Sequence, residues 1–397
     1  MAGHNSVNDA NKTAMPIQRT PLAAAGILAA ALFVHLFSFD AGKPWLFLIG
    51  IGLGMALYHA AFGFTSAYRR AILERDISGV TAQMVMLTAA MLLFAPVLAA
   101  GEVFGHGVTG AVAPVSISMA FGALIFGIGM QMGGGCASGT LLTVGGGNLH
   151  MLLVLVFFCA GTFWASLDMQ WWSSLPGIGA VSLAEKVGNW PAVALQILAL
   201  LLIYAFLRLL GGRNRRELWW QDGFRWSRLL RGPWPLLLGA GALAVLNWLT
   251  LLVAGHPWSI TWGFTLWAAK AAVLLGWDPA TSTFWSSAFA RGALARPLLA
   301  DTTSVMNIGI VIGALCAASL AGTLRIGIRL SVLPLIAAVT GGLLLGYGAR
   351  LAYGCNIGAF FSGVASTSLH GWVWIVAAML GNIIGVRLRP LFRLADA

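Results

Sequence analysis

The sequence predicts an all-α integral membrane protein with about twelve transmembrane helices, from its charge content, its long apolar runs and an internal repeat. Of its 397 residues, 59% are hydrophobic and 9% are charged, whereas a soluble domain carries about 25% charged residues. The apolar runs are long and continuous, which is typical of membrane helices of about 20 residues and not of the alternating strands of a membrane barrel. This composition cannot supply an aqueous surface.

Twelve apolar runs are predicted to span the membrane, and the connections between them divide the chain into four parts. We expect a polar cytoplasmic tail at 1–20, a first membrane half at 21–210, a basic cytoplasmic loop at 211–232 and a second membrane half at 233–393. The first run has no small-residue cleavage site, so we expect a retained helix and not a signal peptide. The predicted spans lie at 21–39, 44–64, 79–100, 112–132, 150–167, 190–210, 233–254, 258–276, 280–298, 302–321, 331–350 and 371–387.

The positive charges are placed like those of a membrane protein, although a net charge of +11 would also suit a polyanion. They cluster beside the apolar runs, most densely from Arg208 to Arg231, where three tryptophans accompany them. Excess arginine is typical of cytoplasmic loops, and tryptophan is typical of the headgroup zone. We therefore expect the lipid bilayer and no nucleic acid as partner, and both termini in the cytoplasm. The loops expected outside are those that hold Asp40, Glu102, Asp168, Glu185 and Asp301.

A motif of glycines and one cysteine occurs twice. Residues 127–139 (GIGMQMGGGCASG) and 346–358 (GYGARLAYGCNIG) are identical at five positions, all glycine or cysteine. Irregular backbone at membrane depth is tolerated only where it is buried in protein or lines a watery cavity. We therefore expect both motifs to turn into the interior as half-helices. A break of this kind, present once in each half, indicates a substrate path between two related halves.

The repeat extends beyond the motifs. The segment Thr65-Ser-Ala-Tyr68 aligns with Ser286-Ser-Ala-Phe289, which makes the second to fifth predicted helices equivalent to the ninth to twelfth. With the arginine-rich loops inside, the first motif opens from the cytoplasm and the second from outside. The repeat is therefore predicted to be inverted.

Cys136 and Cys355 are the main candidate substrate-binding residues. A glycine precedes each of them, at Gly135 and Gly354, and lets another backbone or a ligand come close. A cysteine that opens a half-helix has its thiol among free N–H groups, which attract anions. Its S–H can donate to an anion, and its polarisable sulfur suits contact with another sulfur or selenium atom.

The remaining glycines and polar residues of the motifs complete this candidate site. Gly139 and Gly358 are expected to shape a constriction together with the glycines that precede the cysteines. Ser138 and Asn356 lie beside the thiols and can donate hydrogen bonds. The alternative for any single cysteine is a small buried hydrophobe, and we assign that packing role to Cys159 and Cys316, which lie outside the motifs.

Arg350 lies five residues before Cys355, and Gln131 occupies the matching position in the first motif. Arg350 is either a charge that selects anions inside the path or an interfacial arginine that reaches lipid headgroups. His150 and His370 follow the two cysteines by 14 and 15 residues, which matches no compact metal motif. We expect them to bond to backbone, and we predict neither a metal nor a cofactor.

These residues resemble the YeeE/YedE family of bacterial inner-membrane proteins, a sulfur-transport family that includes thiosulfate transporters. The stretch 346–363 together with Ser368-Leu-His370 is similar to the second family motif nearly residue for residue, and 127–139 is similar to the other. Phe64-Thr-Ser-Ala-Tyr-Arg69 resembles the family segment Cys-Phe-Thr-Ser-Ala-Phe-Arg. In this chain Gly63 stands at the place of the family cysteine.

The resemblance implies helices and inward-pointing half-helices arranged as an hourglass. It also implies that the protein imports thiosulfate, or a related small sulfur-containing anion, without covalent chemistry. It implies that Cys136 and Cys355 hydrogen-bond the anion in succession, in a relay shortened by Gly63. Some relatives are linked to selenium metabolism, so another sulfur or selenium species is an alternative substrate, and a cytoplasmic sulfur-carrier protein is a further expected partner. No P-loop is present, which argues against direct use of ATP.

Two other functions stay open at this stage. One is a membrane thiol oxidoreductase or sulfurtransferase, in which Cys136 and Cys355 would exchange a disulfide or persulfide. The absence of a Cys-x-x-Cys pair counts against it, because such chemistry uses a nearby resolving thiol. The other is a soft-metal permease that would depend on His150 and His370. We therefore predict a permease and not an enzyme.

Overall fold

A computed structural model describes residues 15–221, 223–327 and 331–394, so residues 1–14 of the predicted tail lie outside the described part. Four short strands form two antiparallel pairs, β1 (Glu102–Val103) with β2 (His106–Gly107) and β3 (Pro114–Ser116) with β4 (Gly177–Ala180). The α-helices are α1 (Arg19–Leu36), α2 (Lys43–His59), α3 (Phe64–Glu74), α4 (Ser78–Ala100), α5 (Ile117–Gly133), α6 (Ala137–Gly145), α7 (Leu149–Leu167), α8 (Met169–Ser173), α9 (Leu183–Val187), α10 (Asn189–Leu209), α11 (Trp226–Arg231), α12 (Leu236–Ala254), α13 (Thr261–Leu274), α14 (Ala288–Ala295), α15 (Thr302–Ala321), α16 (Val332–Leu351), α17 (Ser362–Ala365) and α18 (Leu369–Leu388). A π-helical segment, Asn356–Phe361, precedes α17.

The predicted class is confirmed, because the chain is mostly helical and the described residues include ten segments that are long and apolar enough to cross a membrane. The predicted spans at 258–276 and 280–298 are shorter than expected. The first contains α13, which has 14 residues, and the second contains α14, which has 8. Gly276 adopts a left-handed backbone (φ +94°) after α13, and Asp278 caps a 3-10 turn. The hydroxyl-rich residues that follow favour turns over a continuous helix.

Helices α2 and α15 pack closely on each other, as do α5 with α16 and α18, and α7 with α16. Glycines line these contacts. A Cβ on Gly381 of α18 would overlap the Leu124 carbonyl of α5, and one on Gly127 would overlap the Ala378 carbonyl in return. Small residues let membrane helices approach this closely. Such close packing stabilises the helices in lipid, where little hydrophobic force acts between them.

The alanine variant Gly381→Ala should therefore destabilise the protein. Overpacking of a tight contact costs about 1–3 kcal/mol, and the overlap here is with rigid backbone. Gly241→Ala is the matched control, because Gly241 lies in α12 with no atom near its added Cβ. Thermal unfolding in detergent should show a lower midpoint for Gly381→Ala and no loss for Gly241→Ala. Equal midpoints would contradict the packing argument.

The loops gather at two opposite ends of the helices. At one end the basic loop meets the turn before α4, where the Arg213 amide bonds to the Arg75 carbonyl at 3.0 Å. At the other end Lys43 bonds to Thr302 at 2.6 Å. We call the first the arginine-rich end, which holds 75–78, 211–232 and 323–327. The second, the acidic end, holds 40–43, 101–110, 168–188, 255–260 and 296–303.

Asp76 ties the basic loop to α4. Its carboxylate accepts hydrogen bonds from the Ser78 amide at 3.0 Å and the Arg215 amide at 3.2 Å. Burial alone would raise the pKa of Asp76, but the hydrogen bonds from Ser78 and Arg215, together with the charge of Arg70, outweigh it and lower the pKa below the ordinary value of 3.8. The folded state thus favours the ionised form.

Asp76→Asn should lower the stability of the protein at neutral pH. The lowered pKa contributes stability above the ordinary value, and this contribution is lost as the pH falls through the lowered pKa. The difference in unfolding midpoint between the parent and Asp76→Asn should therefore shrink on acidification from pH 7 towards 3. Glu74→Gln is the control, because the Glu74 side chain is exposed. A difference that is the same at every pH would contradict the role of the ionised carboxylate.

Candidate functional site

Both motif cysteines stand immediately before a short helix. Cys136 is the N-cap residue of α6, and Cys355 is the N-cap residue of the π-helical segment. The chain turns before each of them on a glycine in the left-handed region, at Gly134 (φ +80°) and at Gly354 (φ +147°). Only glycine adopts such a backbone without strain. The glycine-rich break therefore places each thiol beside the unpaired N–H groups at the start of a helix.

The two motifs turn into the interior from opposite ends. In the first motif, the Gln131 carbonyl accepts from Arg389 at 2.7 Å, and Gly147 after α6 lies against Arg325, so both sides of the break are at the arginine-rich end. In the second motif, Tyr347 donates to Asp168 at 2.8 Å, and the Thr367 carbonyl after α17 accepts from the Leu183 amide. Both sides of that break are at the acidic end. An inverted repeat predicts this arrangement.

The two thiols converge in the core. Cys136 is 1% exposed and Cys355 is fully buried, and both belong to the same cluster of buried side chains. Helix α6 contacts the π-helical segment, and the two thiols are close enough to interact electrostatically. All four cysteines of the chain are free thiols. The break in each half therefore places its cysteine in the same buried core, beside short helices that contact each other.

Polar groups from the motifs surround the thiols. The Cys136 sulfur lies 3.3 Å from the Ser138 hydroxyl, and the Cys355 sulfur accepts from the Ile357 amide at 3.4 Å. Asn356, which is fully buried, donates from Nδ2 to the Tyr68 hydroxyl at 3.3 Å. Its Oδ1 has no hydrogen-bond partner within the described part of the chain. The structure thus brings Ser138 and Asn356 to the thiols.

The four glycines chosen as candidate site residues, Gly135, Gly139, Gly354 and Gly358, divide into two pairs. A Cβ on Gly354 would lie 2.8 Å from the Ala359 amide nitrogen, and one on Gly135 would lie 3.0 Å from the Met151 methyl, so these two permit tight turns. A Cβ on Gly139 would meet only the Cys136 sulfur, at 3.7 Å, and one on Gly358 would meet only Ser259, at 3.5 Å or more. Gly139 and Gly358 therefore leave space beside the thiol-bearing turns.

Arg350 packs against aromatic rings at the acidic end. Its guanidinium carbon lies 4.4 Å from the centre of the Phe284 ring and 6.0 Å from that of Trp262. Its Nε is buried and has no hydrogen-bond partner among the described residues. Such stacking holds a guanidinium in place without neutralising it. Arg350 is thus a fixed cation, and no carboxylate bonds to it in the described structure.

Gln131, at the position that matches Arg350, lies in a different environment. It is fully buried and donates from Nε2 to the Thr65 carbonyl at 3.2 Å and to Asn382 at 2.7 Å. Its main-chain carbonyl accepts from the buried guanidinium of Arg389 at 2.7 Å. The Gln131 side chain is therefore neutral, but a cation lies beside the break in each half.

A cleft opens at each end. The cleft at the acidic end has a volume of about 580 Å³ and is bordered by Ser259, which faces Gly358, and by Trp262, which stacks near Arg350. The cleft at the arginine-rich end has a volume of about 590 Å³ and is lined by arginines of the basic loop. Because both thiols are buried, neither cleft reaches them in this conformation.

The two histidines that follow the motif cysteines, His150 and His370, lie in different surroundings. The His370 Nδ1 lies 2.7 Å from the Ser368 hydroxyl and the ring is buried, so its partner is a side chain and not the backbone we expected. His150 is half-buried in the first turn of α7. Within 15–221, 223–327 and 331–394, no three His, Cys, Asp or Glu residues gather as metal ligands.

Tyr68 lies at the candidate site, and the sequence analysis did not select it. It lies on α3, is 2% exposed and meets Asn356 of the second motif through its hydroxyl. It also lies within electrostatic range of Cys136. The sequence could have pointed to position 68, because the family segment that resembles 64–69 has phenylalanine there and this chain has tyrosine.

A family model described as sulphur transport matches residues 59–384. The chain belongs to this sulphur transport family. The match includes both motifs, Tyr68 and most of the membrane-spanning helices. The family resemblance drawn from the two glycine–cysteine motifs is thereby confirmed.

Individual relatives cover the chain to different extents. Thiosulfate transporter TsuA of Spirochaeta thermophila is 26% identical over 357 residues, which is 84% of this chain and 95% of that protein. Probable transporter YedE of Escherichia coli is 30% identical over 178 residues, or 44% of this chain and 43% of that protein. YedE of Salmonella typhimurium is 31% identical over 179 residues. The matched stretch thus spans less than half of the length of the YedE relatives.

Proposed function

We propose that this sulphur transport family protein is a permease that imports thiosulfate, or a related small sulfur-containing anion, across the bacterial inner membrane. The observation that carries the proposal is the burial of Cys136 and Cys355 in one core, each at the start of a short inward helix, with these two helices in contact. The relative named thiosulfate transporter TsuA, aligned over 84% of this chain, supports thiosulfate as the substrate.

The chemistry of the site favours an anion that carries sulfur. Each thiol has an S–H that can donate and a polarisable sulfur that suits a sulfur atom of the substrate. Free N–H groups at the two helix starts attract negative charge. Within the constriction the anion would exchange its hydration shell for Cys136, Ser138, Cys355 and Asn356 in turn. No covalent bond needs to form or break.

The two clefts would serve as the outer and inner openings. Arg350 would draw anions to the acidic-end cleft, because its charge is fixed on Phe284 and is not neutralised by a carboxylate. Gly139 and Gly358 would leave room for the anion beside the thiols. In the described conformation the thiols are closed to both clefts, so transport would require each cleft to open to them in turn. The proposed orientation places both termini and the arginine-rich end in the cytoplasm, where a sulfur-carrier protein could receive the anion.

Uptake of radiolabelled thiosulfate tests the proposal in cells that lack other thiosulfate importers. Cells that express the chain should accumulate label above cells with an empty vector. Unlabelled selenium and other sulfur oxyanions, added as competitors, would rank the alternative substrates by how strongly they reduce uptake. A well-expressed chain that gives no uptake above the vector would exclude thiosulfate as its substrate.

A further inference from the structure

Tyr68 brings a hydroxyl from a third element to Asn356, the residue that follows Cys355. The element is α3, which packs on α4, α5 and α18. The Tyr68 ring contacts that of Phe64, with 6.4 Å between the centres, and is buried in the core cluster. This packing fixes the ring, so its hydroxyl is held at the Asn356 side of the constriction.

The Tyr68 hydroxyl accepts one hydrogen bond and donates none within the described residues. The donor of that bond is Asn356 Nδ2, at 3.3 Å. A buried donor without an acceptor is costly. The buried Asn356 Oδ1 has no hydrogen-bond partner among the described residues either. A hydroxyl proton and an amide oxygen left unpaired beside Cys355 indicate that this place is built for a polar ligand.

The N-cap position of α3 offers no such donor. Gly63, the N-cap residue, has no side chain, and a Cβ there would lie 2.7 Å from the Ser66 hydroxyl, which itself bonds to the Gly63 carbonyl at 3.2 Å. In the next turn the Thr65 hydroxyl is buried and has no hydrogen-bond partner among the described residues. Tyr68 is the α3 residue whose hydroxyl is hydrogen-bonded to the second motif, at Asn356 beside Cys355.

We propose that the Tyr68 hydroxyl is a third substrate-binding donor of the constriction and that it binds an oxygen of the anion. The inference rests on the proposed function. A phenol O–H is a stronger hydrogen-bond donor than a thiol S–H, so it favours oxygen, while the soft thiols suit the sulfur end. The constriction then selects an anion that has both a sulfur atom and oxygens. Asn356 positions the hydroxyl.

The test compares Tyr68→Phe with Tyr347→Phe in thiosulfate uptake. Tyr68→Phe keeps the ring and removes the donor, so KM for thiosulfate should rise by about tenfold, since a hydrogen bond to a charged group contributes about 1.5 kcal/mol or more. Tyr347→Phe is the control, because its hydroxyl bonds to Asp168 and Trp172 at the acidic end. It should lower the unfolding midpoint and leave KM unchanged.

The outcomes separate this inference from the proposed function. If the parent takes up thiosulfate and Tyr68→Phe has the parental KM, the inference is overturned while the permease stands. If Tyr68→Phe and Tyr347→Phe change KM and the unfolding midpoint alike, the role of Tyr68 is structural and the inference is again overturned. A well-expressed parent without uptake would overturn both proposals.

Discussion

Replacement of Cys136 or Cys355 by alanine should strongly reduce thiosulfate uptake, while Cys159→Ala and Cys316→Ala should leave it intact. Each motif thiol is buried at the start of an inward helix and has polar neighbours. Loss of one hydrogen bond to an anion costs about 1.5–3 kcal/mol, so one substitution should reduce uptake by about tenfold to a hundredfold. Cys316 lies in a separate apolar cluster, and Cys159 packs at the edge of the core.

Serine variants separate transport from thiol chemistry. A serine at position 136 or 355 keeps a hydrogen-bond donor and removes the sulfur. For the permease, Cys136→Ser and Cys355→Ser should retain more uptake than the alanine variants. For an oxidoreductase or sulfurtransferase, serine and alanine should be equally inactive, because neither forms a disulfide or persulfide. Equal loss in both series, with a mixed disulfide trapped on the parent, would favour the redox function over transport.

Arg350→Gln should raise KM for thiosulfate by about tenfold, which is the size expected for one lost interaction with a charged group. The guanidinium is held over Phe284 at 4.4 Å and lies 6.0 Å from the ring centre of Trp262, which lines the acidic-end cleft. Glutamine is a suitable replacement, because Gln131 occupies the matching position in the first motif. The maximal uptake rate should change little, since the thiols stay in place. Uptake kinetics over a range of thiosulfate concentrations would measure both quantities.

Arg350→Lys is the matched variant for charge. It keeps the positive charge but loses the planar group that stacks on Phe284 and Trp262. Its KM should fall between those of the parent and Arg350→Gln. If Arg350→Gln has the parental KM, the charge does not draw the substrate, and the alternative of an interfacial packing residue is favoured.

The sequence predicted the local geometry of the cysteines because the signal is local. Gly134 and Gly354 permit the left-handed turns that precede each short helix, and this follows from glycine alone. The rings under Arg350 could not be predicted in this way. Phe284 and Trp262 lie more than sixty residues away in the chain, and only packing of the second half brings them together. The pairing of Tyr68 with Asn356 is equally long-range.

The matching of helices between the two repeats also depends on packing between distant parts of the chain, which the sequence alone did not predict. The alignment of Thr65–Tyr68 with Ser286–Phe289 made α14 the counterpart of α3. In the structure α3 packs on α4, α5 and α18, and α13 packs on the corresponding α15, α16 and α7. This reciprocity favours α13 as the counterpart, and the shared Gly-Phe-Thr at 63–65 and 263–265 agrees with it. A short match of serine and alanine was a weaker guide than the packing of whole helices.

The most direct test of the central claim is thiosulfate uptake into liposomes that contain the purified chain as their only protein. We expect that the parent carries radiolabelled thiosulfate into the lumen, and that Cys136→Ala and Cys355→Ala, reconstituted in equal amount, carry it at least about tenfold more slowly. Uptake by both alanine variants at the parental rate would contradict a path between the two thiols, because the anion would then cross without either of them.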